Sequence, residues 1–360
     1  MTNEYPLKPV YFISPTHPLG EIQYRIFCKR FSELIAYKNE TKLFVTLISG
    51  TDIFFKSAER PDLLRSNGLC GVIIDEIGFV KEEVWDAVRP MLSDIGAPAI
   101  LCSTPSPLGP AHWASELWER HKDDPEWDCL ERTAIEMGVL KPEEIESARR
   151  SMLPDAFATE YLAKRISREG QVYREFGDWN IVDALPKGWM PARTVCGLDL
   201  GYDHPSVFVP LQTDAKRHEF YVLEALYHPH GNEESHIQIA KDLRARLGID
   251  LFLVDHNRPD FVDRFRREGL PVELADKDIL EGIDDVRKLL LKREGIPPRL
   301  KFIRGKCKEL LREFPKYRYL PGTNKPNKQV GHDDGLDALR YGVKSFSKPR
   351  GRIVENLHGF

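Results

Sequence analysis

The chain has 360 residues, of which 41% are hydrophobic and 30% are charged, and its formal net charge is -4 at pH 7. This length allows two domains with their own cores, and the composition is ordinary for a soluble globular protein. No apolar run approaches the roughly 20 residues of a membrane helix, so we expect no membrane insertion. The 6 cysteines are scattered without metal-ligand spacing, which indicates neither a zinc site nor a disulfide framework.

The first half of the chain alternates strand-like and helix-like segments. Helical spacing at 19–37 and around 84–92 separates apolar runs, and Ser49-Gly50 predicts a tight hairpin turn. Strands are predicted at 9–14, 43–48, 51–56, 71–76 and 99–102. This order predicts an α/β domain with a mainly parallel sheet, whose ligands bind at the carboxyl ends of the strands.

Two acids, Asp75 and Glu76, end one of these apolar runs. At such a strand end in P-loop nucleotide hydrolases, an Asp holds Mg²⁺ and a neighbouring Glu orients the attacking water. The pattern is weak by itself, since an exposed strand end can also finish in acids. The phosphate-binding pattern GxxxxGK[ST] that usually accompanies it does not occur in this sequence. The first half therefore predicts half of a nucleotide site.

The segment at 166–190 carries Gly and Pro without a sustained period, which predicts a connector between domains. Beyond it, strands are predicted at 195–200, 206–212, 219–226, 250–255, 270–274 and 300–303, and helices at about 233–247, 259–268, 279–294, 306–316 and 333–346. Sequential strands followed by alternating helices and strands are the order of ribonuclease H-like folds. In that fold the first and fourth strands are neighbours, which predicts that Asp199 and Asp255 lie side by side.

Acids recur where the second half predicts strand and helix ends. Asp199 and Asp255 end apolar runs, where a carboxylate is costly without a cation, and Asp333, Asp334 and Asp337 open the last predicted helix. Converging carboxylates suit Mg²⁺ or Mn²⁺, and a two-metal site of this kind activates water to attack a phosphodiester. The alternative is structural, with Asp199 capping a strand end and Asp333 capping the helix.

Charge is distributed unevenly along the chain. Residues 116–160 contain 6 Lys/Arg and 13 Asp/Glu, whereas residues 301–352 contain 14 Lys/Arg and 5 Asp/Glu. A basic end predicts contact with a polyanion such as double-stranded DNA, although a solvated basic surface explains the same charges. Tyr317, Tyr319 and the lysines at 325 and 328 form a candidate DNA-facing loop, for which a plain surface hairpin is the alternative.

Taken together, these segments resemble the large terminase subunit of tailed bacteriophages, which packages DNA with an ATPase lobe and trims it with a ribonuclease H-like nuclease lobe. The matching pieces are VYFISPT, GVIIDE, LCSTP, GLDLGYDHPS, LVDHN and HDDGLDALRY, in the family's order and over nearly the full length. The resemblance implies a metal-dependent endonuclease that cuts concatemeric double-stranded DNA in the cytoplasm of the bacterial host. It also implies the portal protein and the small terminase subunit as partners.

The resemblance assigns roles to the acids. Asp75 corresponds to the magnesium-holding acid of the ATPase lobe and Glu76 to its catalytic acid, while Ser103 and Thr104 correspond to a segment that couples hydrolysis to motion. The catalytic residues and Mg²⁺ or Mn²⁺ ligands implied for the nuclease lobe are Asp199, Asp255, Asp334 and Asp337, with Asp333 and Asp203 as further contributors.

Family members carry the phosphate loop upstream of the strand that VYFISPT resembles, and this sequence begins at about that strand. A fragment, a mis-assigned start and a separate polypeptide that supplies the loop are explanations that the sequence leaves open. The expected organisation is a truncated P-loop-type ATPase lobe at 1–165, a linker at 166–190, a ribonuclease H-like nuclease domain at 191–347 and a tail at 348–360. The use of ATP as a cofactor therefore stays an open question, whereas the sequence contains all of the acids expected for the nuclease site.

Two other classes of function fit part of the sequence. One is a ribonuclease H-like junction resolvase or recombinase, against which the GVIIDE and LCSTP segments argue. The other is a non-catalytic packaging scaffold, against which the acids in all three nuclease positions argue.

Overall fold

The computed structural model describes residues 8–66, 68–166, 170–201, 204–216, 218–229, 232–255, 259–276, 278–321, 323–328 and 333–347. The chain divides into two compact units, Met1–Arg168 and Glu169–Phe360. Each unit is built around one mixed sheet with helices, as the α/β class predicts. Within the described ranges no helix has the length and apolar character needed to cross a membrane.

The first unit contains a sheet in the order β2-β3-β4-β1-β5-β6. Its strands are β1 (Val10–Ser14), β2 (Ile35–Asn39), β3 (Phe44–Leu47), β4 (Asp52–Ser57), β5 (Gly71–Asp75) and β6 (Ala99–Cys102). Its helices are α1 (His17–Arg30), α2 (Glu82–Leu92), α3 (Trp113–His121), α4 (Ala134–Met137), α5 (Pro142–Ser151) and α6 (Pro154–Leu162). Strands β4, β1, β5 and β6 run parallel, so their carboxyl ends share one edge.

The helix predicted at 19–37 is too long. Helix α1 ends at Arg30, and Ile35–Asn39 forms the outermost strand β2, which pairs antiparallel with β3. A short apolar run fits helical and strand spacing equally well, so pairing with a distant strand decides its state.

The second unit contains a sheet in the order β13-β12-β8-β9-β10-β14-β7, with β11 paired to β9. Its strands are β7 (Ile181–Val182), β8 (Arg193–Asp199), β9 (Ser206–Thr213), β10 (Phe220–Val222), β11 (Leu226–His228), β12 (Leu251–Val254), β13 (Val272–Leu274) and β14 (Leu300–Ile303). Its helices are α7 (Glu233–Leu247), α8 (Pro259–Arg267), α9 (Ile279–Leu290), α10 (Lys308–Glu313) and α11 (Asp334–Ser347). The strand predicted at 219–226 is two short strands, and β8 and β12 are parallel neighbours, which confirms the predicted adjacency.

The described part of the predicted connector at 166–190 differs from that prediction, because it is folded into the second unit. Val172 and Tyr173 are buried in the core of this unit, and β7 pairs with β14. The buried guanidinium of Arg287 forms a two-pronged ion pair with Glu175, with Nη2 2.6 Å from Oε1 and Nε 3.0 Å from Oε2. A segment held by such long-range contacts needs no periodic spacing of apolar residues, so its sequence resembles that of a loop.

Candidate metal centre

Strand and helix ends bring together the acids predicted for the nuclease site. Asp199 is the last residue of β8, Asp255 directly follows β12, and Asp334 is the first residue of α11. Leu198 and Val254 are paired across the parallel strands, so the acids that follow them lie at the same edge of the sheet. The structure thus places two acids at the ends of neighbouring strands, as the sequence predicted.

A glycine sets how closely α11 approaches β8. A Cβ atom on Gly197 would lie 1.7 Å from the carbonyl oxygen of Ala338, a separation that real atoms do not reach. Gly197 lies two residues before Asp199, and Ala338 directly follows Asp337. The same backbone contact therefore fixes the acid of the strand relative to the acids of the helix.

The acids are close enough to affect one another. Burial raises the pKa of Asp199 well above its usual range, and the negative charges of Asp337, Asp334 and Asp255 raise it further. Burial and the charge of Asp337 also raise the pKa of Asp333 to about 6. Carboxyl groups that oppose one another's ionisation are stabilised when a cation joins them. The cluster therefore has the electrostatic character of a cation site.

Asp337 is already paired with cations of the protein. Its Oδ2 lies 2.6 Å from the Lys328 ammonium, and its Oδ1 lies 3.1 Å from Nη2 of the buried Arg340. The same ammonium lies 3.8 Å from Oδ2 of Asp333. Both carboxylate oxygens of Asp337 thus lie against positive charge from Lys328 and Arg340.

The chemistry of the donor set fits a hard divalent cation, because the interacting groups are carboxylates. As the side chains stand, no group of at least 3 His, Cys, Asp or Glu within the described ranges is arranged to hold a metal ion. Asp203, the remaining candidate, lies outside the described residues.

The acids predicted for the nucleotide site have a different setting in the first unit. Asp75 ends β5 and accepts a hydrogen bond from the Gln23 amide at 2.9 Å. Glu76 adopts the left-handed conformation, with φ of 51°, and accepts from the Ser103 hydroxyl at 3.1 Å. That hydroxyl also accepts from the backbone N–H of Gly78 at 3.0 Å. The backbone after β5 and the segment after β6 are thus joined, and neutral donors contact both acids.

Sequence reasoning missed Glu313. It is 7% exposed, ends α10, and accepts hydrogen bonds from the Tyr227 hydroxyl and from backbone N–H groups at the start of α11. Burial raises its pKa to about 7, while these hydrogen bonds act in the opposite direction. Nothing in the sequence around it distinguishes this acid from exposed helical acids, since its partners are distant in the chain.

The prediction of a DNA-facing loop is wrong for its two tyrosines. Tyr317 and Tyr319 are 3% and 4% exposed and belong to the core of the second unit. Lys325 and Lys328 are exposed at the surface, although Lys328 reaches Asp337.

Comparisons with known proteins agree with this fold. The family model "Terminase large subunit, T4likevirus-type, N-terminal" matches residues 22–177. The terminase large subunit of Escherichia phage T5 is 24% identical over 361 residues, covering 94% of this chain and 80% of that protein. The resemblance to phage large terminase subunits is confirmed.

Solved structures of a large terminase align with nearly the whole chain. The large terminase of a thermophilic bacteriophage aligns with a TM-score of 0.68 at 20% identity, covering 97% of this chain and 88% of that chain. The same terminase in complex with ADP aligns with a TM-score of 0.63 at 20% identity, covering 97% of this chain and 89% of that chain. This similarity confirms the predicted fold class, and each unit has its counterpart in a large terminase.

Proposed function

We propose that the second unit is a metal-dependent endonuclease that cuts concatemeric double-stranded DNA during phage genome packaging. The observation that carries this proposal is the partly buried Asp199 at the end of β8, whose pKa is raised by burial and by the charges of Asp337, Asp334 and Asp255. Similarity to large terminase subunits, a family that acts in DNA packaging, supports the substrate. The same similarity supports the portal protein and the small terminase subunit as partners.

Asp199, Asp255 and Asp334 are the proposed ligands of Mg²⁺ or Mn²⁺, with Asp333 beside them. When bound, two such cations provide activation of water and stabilisation of the leaving oxygen of a phosphodiester. The backbone contact of Gly197 with Ala338 supports a site on rigid elements, which limits the reorganisation needed during the reaction.

Asp337 has a conditional role in this proposal. Its Oδ2 becomes available to a metal ion only when Lys328 releases its ion pair, while Arg340 holds Oδ1. Until then Lys328 keeps this carboxylate oriented and neutralised.

For the first unit, we propose that Asp75 holds Mg²⁺ and that Glu76 acts on the attacking water of an ATPase site. The left-handed backbone of Glu76 and its bond to Ser103 support a specialised position, since non-glycine residues adopt this conformation at a cost of order 1–3 kcal/mol. Phosphate binding would also require the GxxxxGK[ST] loop, which could come from a separate polypeptide.

The nuclease proposal is tested with Asp199→Asn and Asp255→Asn, assayed on linear duplex DNA with Mg²⁺ or Mn²⁺ and with excess chelator. We expect each variant to lose on the order of 100-fold or more in cleavage rate, with the DNA dissociation constant unchanged within about twofold. Asp250→Asn is the matched control. Asp250 directly precedes β12, at the end of the strand opposite to Asp255, and accepts a hydrogen bond from the Thr194 N–H.

Cleavage that survives both substitutions, or that proceeds fully in chelator, would place the chemistry elsewhere. A strong preference for four-way junctions over linear duplex would favour a resolvase or recombinase. Absence of cleavage by the wild-type protein on every substrate would favour a scaffold.

A further inference from the structure

The carboxylate of Glu313 is surrounded by hydrogen-bond donors. It accepts from the Tyr227 hydroxyl at 2.5 Å, from the Leu336 N–H at 3.0 Å and from the Gly335 N–H at 3.4 Å. The two backbone donors belong to the first turn of α11, whereas Glu313 belongs to α10 and Tyr227 to β11. One buried acid therefore links a strand and two helices.

Gly335 makes this arrangement possible. A Cβ atom at this position would lie 2.1 Å from the Tyr227 hydroxyl oxygen and 3.0 Å from Oε2 of Glu313. Any larger residue would push both side chains away from the start of α11. The contact is thus a specific fit of Glu313, Tyr227 and Gly335.

Glu313 also caps the first turn of α11. The first N–H groups of a helix have no partner inside the helix, and a side chain at the preceding position usually accepts from them. Asp333 occupies that position, yet Glu313 accepts from Gly335 and Leu336. Asp333 is therefore not needed to satisfy these two N–H groups, in contrast to the capping role that the sequence left open.

We propose that Glu313 is a positioning residue of the metal centre, which holds the first turn of α11 and thereby sets Asp334 and Asp337 against Asp199. The held N–H groups lie between Asp334 and Asp337 in the chain, so a shift of this turn moves both acids. This inference rests on the proposed nuclease function.

A role limited to stability makes a different prediction. If Glu313 only stabilised the fold, its loss would lower the melting temperature and leave the Mn²⁺ affinity of the folded protein unchanged. If it positions the acids, Mn²⁺ affinity falls even in variants with an unchanged metal-free melting temperature. Residues that orient metal ligands typically change affinity or activity about 10–100-fold.

The experiment compares Glu313→Ala, Glu313→Gln and Tyr227→Phe in the full chain, with Glu309→Ala as the control on the same helix. Glu309 is exposed and pairs with Arg312 at 2.8 Å. Binding of Mn²⁺ is measured by calorimetry, the metal-free melting temperature in chelator, and cleavage as a function of Mn²⁺ concentration.

We expect Glu313→Ala to weaken Mn²⁺ binding about tenfold or more and to raise by a similar factor the Mn²⁺ concentration needed for half-maximal cleavage. Glu313→Gln keeps only one of the two acceptor oxygens and should recover part of the affinity, leaving a smaller loss than Glu313→Ala. Tyr227→Phe should give a smaller loss, and Glu309→Ala should match the wild type. Should Glu313→Ala fail to fold, the near-isosteric Glu313→Gln and Tyr227→Phe still decide, since weakened Mn²⁺ binding in both supports positioning.

Wild-type Mn²⁺ affinity in the folded Glu313 and Tyr227 variants would overturn the inference while the nuclease proposal stands. Absence of both Mn²⁺ binding and cleavage in the wild-type protein would overturn the nuclease proposal and the inference with it.

Discussion

The acids of the two units lie at similar places in their sheets but have different neighbours. In the first unit Asp75 and Glu76 follow a parallel strand and accept from the neutral side chains of Gln23 and Ser103. In the second unit Asp199 also ends a strand, but its electrostatic neighbours include the acid that directly follows β12 and acids of α11. Neutral donors stabilise the first pair of acids, whereas in the second cluster the negative charges of the acids repel one another.

This difference indicates where a cation has most to contribute. An acid that accepts hydrogen bonds from neutral groups is stabilised by them whether or not a metal ion is bound. Clustered carboxylates, in contrast, repel one another until positive charge is added. In the second unit Lys328 and Arg340 supply part of that charge to Asp337. We therefore expect metal-dependent stabilisation from the second cluster.

The largest effect should follow from moving α11 away from β8. Gly197→Ala places a methyl group against the carbonyl of Ala338, and the clash involves backbone that cannot rotate away. We expect the free energy of unfolding of the second unit to fall by about 3 kcal/mol, together with loss of cleavage. Gly342→Ala is the control, because its Cβ would meet only ordinary contacts at 3.7–3.8 Å. Urea unfolding that finds Gly197→Ala as stable as the wild type would contradict the close approach.

The next effect is stabilisation by Mn²⁺, followed as a shift in melting temperature. A ligand at 100 times its dissociation constant adds about 2.7 kcal/mol, and this gain should disappear in Asp199→Asn and persist in Glu76→Gln. In chelator, Asp199→Asn should melt at or above the wild-type temperature, since one repelling charge is removed. A Mn²⁺ shift that vanishes in Glu76→Gln and remains in Asp199→Asn would reverse the comparison.

A smaller effect concerns pH and Glu313. Because the pKa of Glu313 is raised to about 7 in the folded protein, ionisation of this acid favours unfolding. Its contribution to stability is present below its usual pKa of 4.5 and is lost as the pH rises through about 7. Relative to Glu313→Gln, the wild type should lose on the order of 1 kcal/mol between pH 5 and 8. If the stabilities of the wild type and of Glu313→Gln changed with pH in the same way in chelator, Glu313 would not titrate in this range.

The smallest expected effect is on ATP turnover. We expect the purified chain to hydrolyse ATP at background rate, and Glu76→Gln to change nothing, because this sequence contains no GxxxxGK[ST] pattern to hold the phosphates. Adding a polypeptide that carries the loop should raise turnover in the wild type and not in Glu76→Gln. Turnover by the chain alone that Glu76→Gln removes would show a working site.

Much of the second sheet could be predicted from local pattern. Apolar runs located β8 and β12, and the order of strands and helices predicted their adjacency, because a buried parallel strand needs apolar residues on both faces. The same patterns failed at β2 and at 170–182. In both places short segments are held by strands or side chains far along the chain, which no local period encodes.

The sequence by itself determined which residues carry the acidic groups and which ends of strands and helices they occupy, since those depend on the order of apolar and charged residues. Only the tertiary structure decided what surrounds each acid. Gly197 meets Ala338, Lys328 meets Asp337 and Glu313 meets the first turn of α11 through packing of separate elements. Because burial and neighbouring charge set the pKa of a carboxyl group, the character of the site depends on these contacts.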